Sequence, residues 1–75
     1  MELNDFLTHF REQFEDTEPE AIDTTTVYKD LDDWSSIIAF SLIAMVKVEY
    51  GKTLTGLEIR HCNTVEDLFN TIAAK

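Results

Sequence analysis

Apolar residues recur at helical spacing in several stretches of this chain, and polar runs separate them. Leu3, Phe6, Leu7, Phe10 and Phe14 fall on one side of a helical repeat, with Asn4, Asp5, Glu12 and Glu15 on the other. That pattern predicts an amphipathic helix over about residues 2–15, its phenylalanines packed into a core. From Ser36 to Tyr50 the chain predicts a second helix, stopped by Gly51. Ile37, Ile38, Phe40, Leu42, Ile43, Ala44, Met45, Val46 and Val48 surround it on nearly all sides. A domain too small to bury a helix all round leaves one of its faces for something else. Ile38, Met45 or Val48 is expected on that face.

Thr55-Gly56-Leu57-Glu58 has the form of a capping box and opens a short third helix that ends before Asn63. Thr64-Val65-Glu66-Asp67 opens a last helix, whose Val65, Leu68, Phe69 and Ile72 form one stripe to about Ala74. Leu54, Leu57 and Ile59 are expected to face inward, and Cys62 to serve as a small buried apolar residue. Asp16 to Ser35 reads as loop, with Pro19, three consecutive threonines and many acids. Ile22, Val27, Tyr28 and Leu31 recur along it, so it is expected to lie pinned across the bundle. The fold class is all-α: one domain over residues 1–75, a small four-helix bundle with a short third helix and a long loop between the first two.

Charge divides the chain. Residues 1–34 hold eleven acids and two bases, while residues 35–75 hold four of each, for a net charge of −9. Such a balance argues against nucleic acid, whose phosphates need cationic side chains. It also argues against anionic membrane surfaces, and it suits basic protein surfaces. The apolar run from residue 36 is too short to span a bilayer, and acids at Glu2 and Asp5 do not suit a signal peptide. A soluble, cytoplasmic monomer with one free thiol is expected.

Chemistry is sparse. His9 and the neighbours His61 and Cys62 lack the base, orienting group or ligand spacing that catalysis or a metal site requires. Asp30, Asp32 and Asp33 begin like a calcium loop, but Ser35 and Ser41 stand where that loop needs glycine and glutamate. The junction Asp32-Asp33-Trp34-Ser35-Ser36-Ile37 is different. A serine there can cap the helix, or it can carry a phosphate ester where unpaired N–H groups and the helix dipole favour an anion.

The order of elements, the acidity and the length resemble the acyl carrier protein family over nearly the whole chain. The markers are Tyr28-Lys29-Asp30-Leu31 leading into Trp34-Ser35-Ser36-Ile37, then Glu49-Tyr50-Gly51, and Thr64-Val65-Glu66-Asp67-Leu68. In that family an Asp-Ser-Leu triplet carries 4′-phosphopantetheine on its serine, and an aromatic-glycine pair ends the helix about fourteen residues later. Counting back from Tyr50 selects Ser36 over Ser35. Ser35 stands in place of the family's aspartate, and Ile38, Ser41, Lys47 and Val48 stand where acids are common.

The resemblance implies a carrier, not an enzyme. It implies acyl or aminoacyl groups held as thioesters on 4′-phosphopantetheine attached to Ser36. The implied partners are a phosphopantetheinyl transferase and acyl-activating, acyl-transferring or condensing enzymes. Asp30, Asp32, Asp33, Trp34, Ile37, Ile38, Ala44 and Val48 would face those partners, and a specialised pathway with dedicated partners is expected. Tyr28, Val46, Leu54, Ile59, Cys62 and Leu68 would line an interior cleft for the acyl chain. The alternative is a carrier-like interaction module without a prosthetic group, which the missing aspartate favours.

Overall fold

A computed structural model describes residues 1–75 as an all-α bundle without strands. Its helices are α1 (Leu3–Arg11), α2 (Ser36–Tyr50), α3 (Gly56–His61) and α4 (Val65–Ala73), with short 3-10 turns at Pro19–Ala21 and Tyr28–Asp30. Fourteen buried apolar residues make one core, to which every helix and the long loop contribute.

α1 is shorter than its apolar stripe predicts. The side-chain amide of Gln13 donates to the His9 carbonyl at 3.1 Å, the oxygen that an α-helix would offer to the Gln13 N–H. That N–H turns instead to Phe10 O at 3.1 Å, and the Phe14 N–H to Arg11 O at 3.1 Å. The chain tightens into i→i+3 turns, which still deliver Phe14 to the core.

The long loop is pinned as expected, largely by polar contacts. Arg11 Nε donates to Ile22 O at 2.8 Å, and Ile22 is fully buried. The Val65 and Glu66 N–H groups, the first two of α4, donate to Thr26 O at 3.2 Å and Thr24 O at 3.0 Å. Those amides have no acceptor within their own helix, so the loop completes α4. Val27 differs from expectation: its side chain is exposed, and its backbone pairs with Thr64 in an isolated antiparallel bridge.

Both C-terminal helices start with complete capping boxes. Thr55 and Glu58 bond reciprocally at α3, Thr64 and Asp67 at α4. Leu57 is a correction to the inward placement read from sequence, for it is 59% exposed. It lies two residues, about 200° around a helix, from Ile59. A short helix that buries Ile59 therefore turns Leu57 to solvent. Cys62 is half-buried rather than buried, with its sulfur 3.4 Å from Thr71 Oγ1.

Lys75, and after it the Thr55 N–H, hold the Glu58 carboxyl below its ordinary range. The Thr64 and Asn63 N–H groups do the same for Asp67. Both carboxylates are favoured in the folded chain, so their stabilisation is complete above the ordinary carboxylate range, about pH 4–5. It is lost as pH falls through the lowered folded values. The thermal midpoint of Asp67→Asn should lie below that of the native chain at neutral pH, and the gap should close on acidification. A gap independent of pH in paired thermal melts would refute this account.

Candidate functional site

Residue by residue, the N-terminal end of α2 separates two jobs that adjacent serines could share. Ser35 has extended backbone, and its hydroxyl accepts from the Ile38 N–H at 3.4 Å. Its carbonyl accepts the Ala39 N–H at 3.1 Å. Ser35 is therefore the N-cap. Ser36 is the first residue of the helix and is exposed, and its hydroxyl engages no protein group. The N–H groups of Ser36 and Ile37 likewise have no protein acceptor, unlike their counterparts at α4. An anionic group on Ser36 Oγ would meet two free amide donors and the positive end of a helix about 22 Å long. At the far end Gly51 adopts φ 67°, the left-handed conformation that stops the helix, and its N–H bonds Lys47 O at 3.0 Å.

The outer side of α2 is apolar. Ile37, Phe40 and Val48 are 75%, 69% and 79% exposed, and Ala44 is exposed between them. With spacings of three, four and four residues they form one stripe that begins beside Ser36. Val48 fits the outward face read from sequence. Met45 does not, being buried beside Leu42 and Val46, and Ile38 is half-buried at the edge of the core. Phe40 was missed as a member of this stripe, although its register with Ile37 and Ala44 would have revealed it.

Two residues expected to face partners are engaged within the fold instead. Asp33 accepts from the Asp16 N–H at 3.3 Å and from the Thr17 hydroxyl, tying the chain after α1 to the approach to α2. Trp34 stacks on Phe14 at 6.3 Å between centroids and packs tilted against Tyr28 at 5.1 Å. Asp30 and Asp32 are exposed as expected. They line a hollow of about 360 Å³ with Asp16, Thr17 and Asp33, which concentrates negative charge there.

The six residues assigned to an interior cleft do come together, as packed core. Tyr28, Val46, Leu54, Ile59 and Leu68 are each less than 5% exposed, and Cys62 packs against them half-buried. The four surface hollows are lined by other residues. Burial, with lesser contributions from Cys62 and Asp67, pushes the Tyr28 phenol far above its usual range, so it stays a proton donor.

His9 lies at the seam between α1 and α2, in a hollow that Ala44 and Val48 also line. Its ring nitrogens are 3.3 Å from Glu12 and 3.7 Å from Glu49. His61 is exposed at the end of α3, so the two histidines do not meet. No three His, Cys, Asp or Glu side chains are grouped as metal ligands, and no helix is long and apolar enough to cross a membrane. Comparison with known protein families, with curated proteins and with solved structures finds no match to this chain.

The division of labour between the serines has a measurable consequence. Ser35→Ala should cost about 1 kcal/mol through loss of the cap, while Ser36→Ala should leave stability nearly unchanged. Urea denaturation of both variants measures the difference, and equal losses would contradict it.

Proposed function

We propose that this chain is an acyl (or aminoacyl) carrier whose prosthetic group, 4′-phosphopantetheine, is attached to Ser36. The observation that carries the proposal is the exposed, unengaged Ser36 hydroxyl at the first residue of α2, beside a serine that already caps the helix. The residues present fit the group. Ser36 Oγ would attack the pyrophosphate of coenzyme A, forming a phosphodiester as adenosine 3′,5′-bisphosphate leaves and the hydroxyl proton is released, and the free N–H groups of Ser36 and Ile37 suit the phosphodiester's negative charge. When bound, the group supplies a terminal thiol that holds an acyl unit as a thioester. The chain's own residues present that thiol at the rim of the bundle and offer surfaces to partner enzymes. The spacing from Ser36 to the Tyr50-Gly51 helix stop adds support, as do the family-like markers along the sequence.

The partners of such a carrier are a phosphopantetheinyl transferase and enzymes that activate, transfer or condense acyl groups. Recognition would draw on the outer stripe of α2, with Asp30 and Asp32 steering a basic partner from nearby. Lys47 is exposed on the same helix, and no acid is found among residues 36–48. Apolar contact therefore outweighs charge along that face.

A second reading, an interaction module that carries no prosthetic group, is favoured by the same stripe, because Ile37, Phe40, Ala44 and Val48 could bind a partner without any arm.

Incubation with coenzyme A and a broad-specificity phosphopantetheinyl transferase, followed by intact-mass measurement, separates the readings. The carrier reading expects a gain of one phosphopantetheinyl group in the native chain and in Ser35→Ala, and none in Ser36→Ala. Modification that persists in Ser36→Ala refutes Ser36 as the attachment point. A chain that stays unmodified, yet binds a partner equally well as Ser36→Ala, supports the interaction module.

A further inference from the structure

α3 ends without the glycine that commonly closes a helix. Cys62 follows it in extended backbone, φ −78° and ψ 155°. The last carbonyls of a helix have no acceptor role within it and need outside donors. Two consecutive residues of the long loop provide them. The Tyr28 hydroxyl lies 2.5 Å from Ile59 O and 3.1 Å from Cys62 O, and Lys29 Nζ donates to Arg60 O at 2.7 Å. Tyr28 is fully buried, with its ring 5.9 Å from Phe10 and 5.1 Å from Trp34. A single side chain thus joins the aromatic row of α1 to the end of α3. α3 has little packing of its own, since Ile59 is its one buried residue.

Ile59 of α3 shares one buried core with Val46, Leu54 and Leu68, and none of the four surface hollows is lined by them. An acyl chain could enter there only if α3 moved away from Tyr28. That movement would strand a buried phenol, and the carbonyls it serves, without partners. All three hydrogen bonds of Tyr28 and Lys29 would be lost together, a loss that burial of a chain as short as octanoyl does not offset, and a short or polar group still less.

We propose that Tyr28 and Lys29 form a clamp that holds α3 shut over the core, so that cargo on Ser36 stays outside the protein. The proposal rests on the carrier reading. It assigns this chain to short or polar acyl groups, which tolerate solvent, in preference to long apolar chains that need shelter.

The test compares acetyl and octanoyl thioesters, loaded on the native chain from the corresponding acyl-coenzyme A by a broad-specificity transferase and confirmed by intact mass. Cleavage by hydroxylamine is followed by mass, and the methyl signals of Leu54, Ile59 and Leu68 by NMR. In the native chain both thioesters should be cleaved at similar rates, with the core methyls unmoved. In Tyr28→Phe the octanoyl group should shift those methyls and be protected by about tenfold or more, equivalent to about 1.4 kcal/mol. Lys29→Met should show the same change to a smaller degree.

Protection of octanoyl in the native chain overturns the clamp while leaving the carrier reading intact. That comparison needs no mutation, so it decides even if Tyr28→Phe fails to fold. A folded Tyr28→Phe that behaves as the native chain also overturns the clamp. Failure of Ser36 to load overturns the carrier reading, and the clamp's role in excluding cargo falls with it.

Discussion

The long loop between α1 and α2 is the constraint on which the other elements depend, because it satisfies backbone groups that two helices cannot satisfy themselves. α4 begins with its first two N–H groups on loop carbonyls, and α3 ends with its carbonyls on Tyr28 and Lys29. Isolated helices of six and nine residues are too short to be stable in water. Their capping boxes fix where they start, and the loop fixes where they lie. A structureless loop of twenty residues would be out of place in so small a domain. This one resolves the difficulty by acting as a wall of the bundle, with Ile22 and Tyr28 fully buried.

That arrangement explains how a 75-residue chain can leave one helix face bare. Core residues come from α1, the loop, Leu54, α3 and α4, so α2 needs to bury only Leu42, Met45 and Val46 fully. Ile38, Ala39, Ile43 and Tyr50 pack partly against that core, and the outer stripe of Ile37, Phe40, Ala44 and Val48 is what remains uncovered. Apolar side chains left at 69–79% exposure along one stripe are not the random scatter found on any protein surface. They begin beside the one serine whose hydroxyl and N–H groups are unengaged. The free polar groups therefore lie at one end of a bare stripe that runs along nearly the whole of α2.

Much of this was legible in the sequence where a local rule decides the outcome. The limits of α2 follow from Ser35 and Gly51, and the starts of α3 and α4 follow from their capping boxes, because caps act over three or four residues. Which of the two serines caps the helix was left open by the residues themselves; the structure gives the cap to Ser35 and the first helical position to Ser36. What escaped the sequence depends on contacts across the fold. Periodicity alone carries α1 onward to residue 15, yet the Gln13 amide diverts the backbone earlier. Met45 turned inward because a helix apolar all round does not declare which stripe is inward, and Leu57 turned outward because its short helix buries Ile59, about 200° away. Asp33 and Trp34, expected from the carrier resemblance to face partners, contact Thr17, Phe14 and Tyr28 within the fold.

The charge distribution completes the picture. Eleven of the fifteen acids precede Ser35, but they do not form a docking face as a block. Asp33 is spent on the turn after α1, and Glu58 and Asp67 are spent on helix caps in the other half. Asp30 and Asp32 remain exposed near the approach to α2, while the stripe on α2 itself is uncharged apart from neighbouring Lys47. Exposed charges act over distances comparable with the screening length, about 8 Å in physiological salt, and chiefly raise the rate of encounter. Apolar side chains act only in contact. A partner approaching this end would be drawn by the aspartates and retained by Ile37, Phe40 and Val48. Added salt should therefore slow its arrival far more than it hastens its departure.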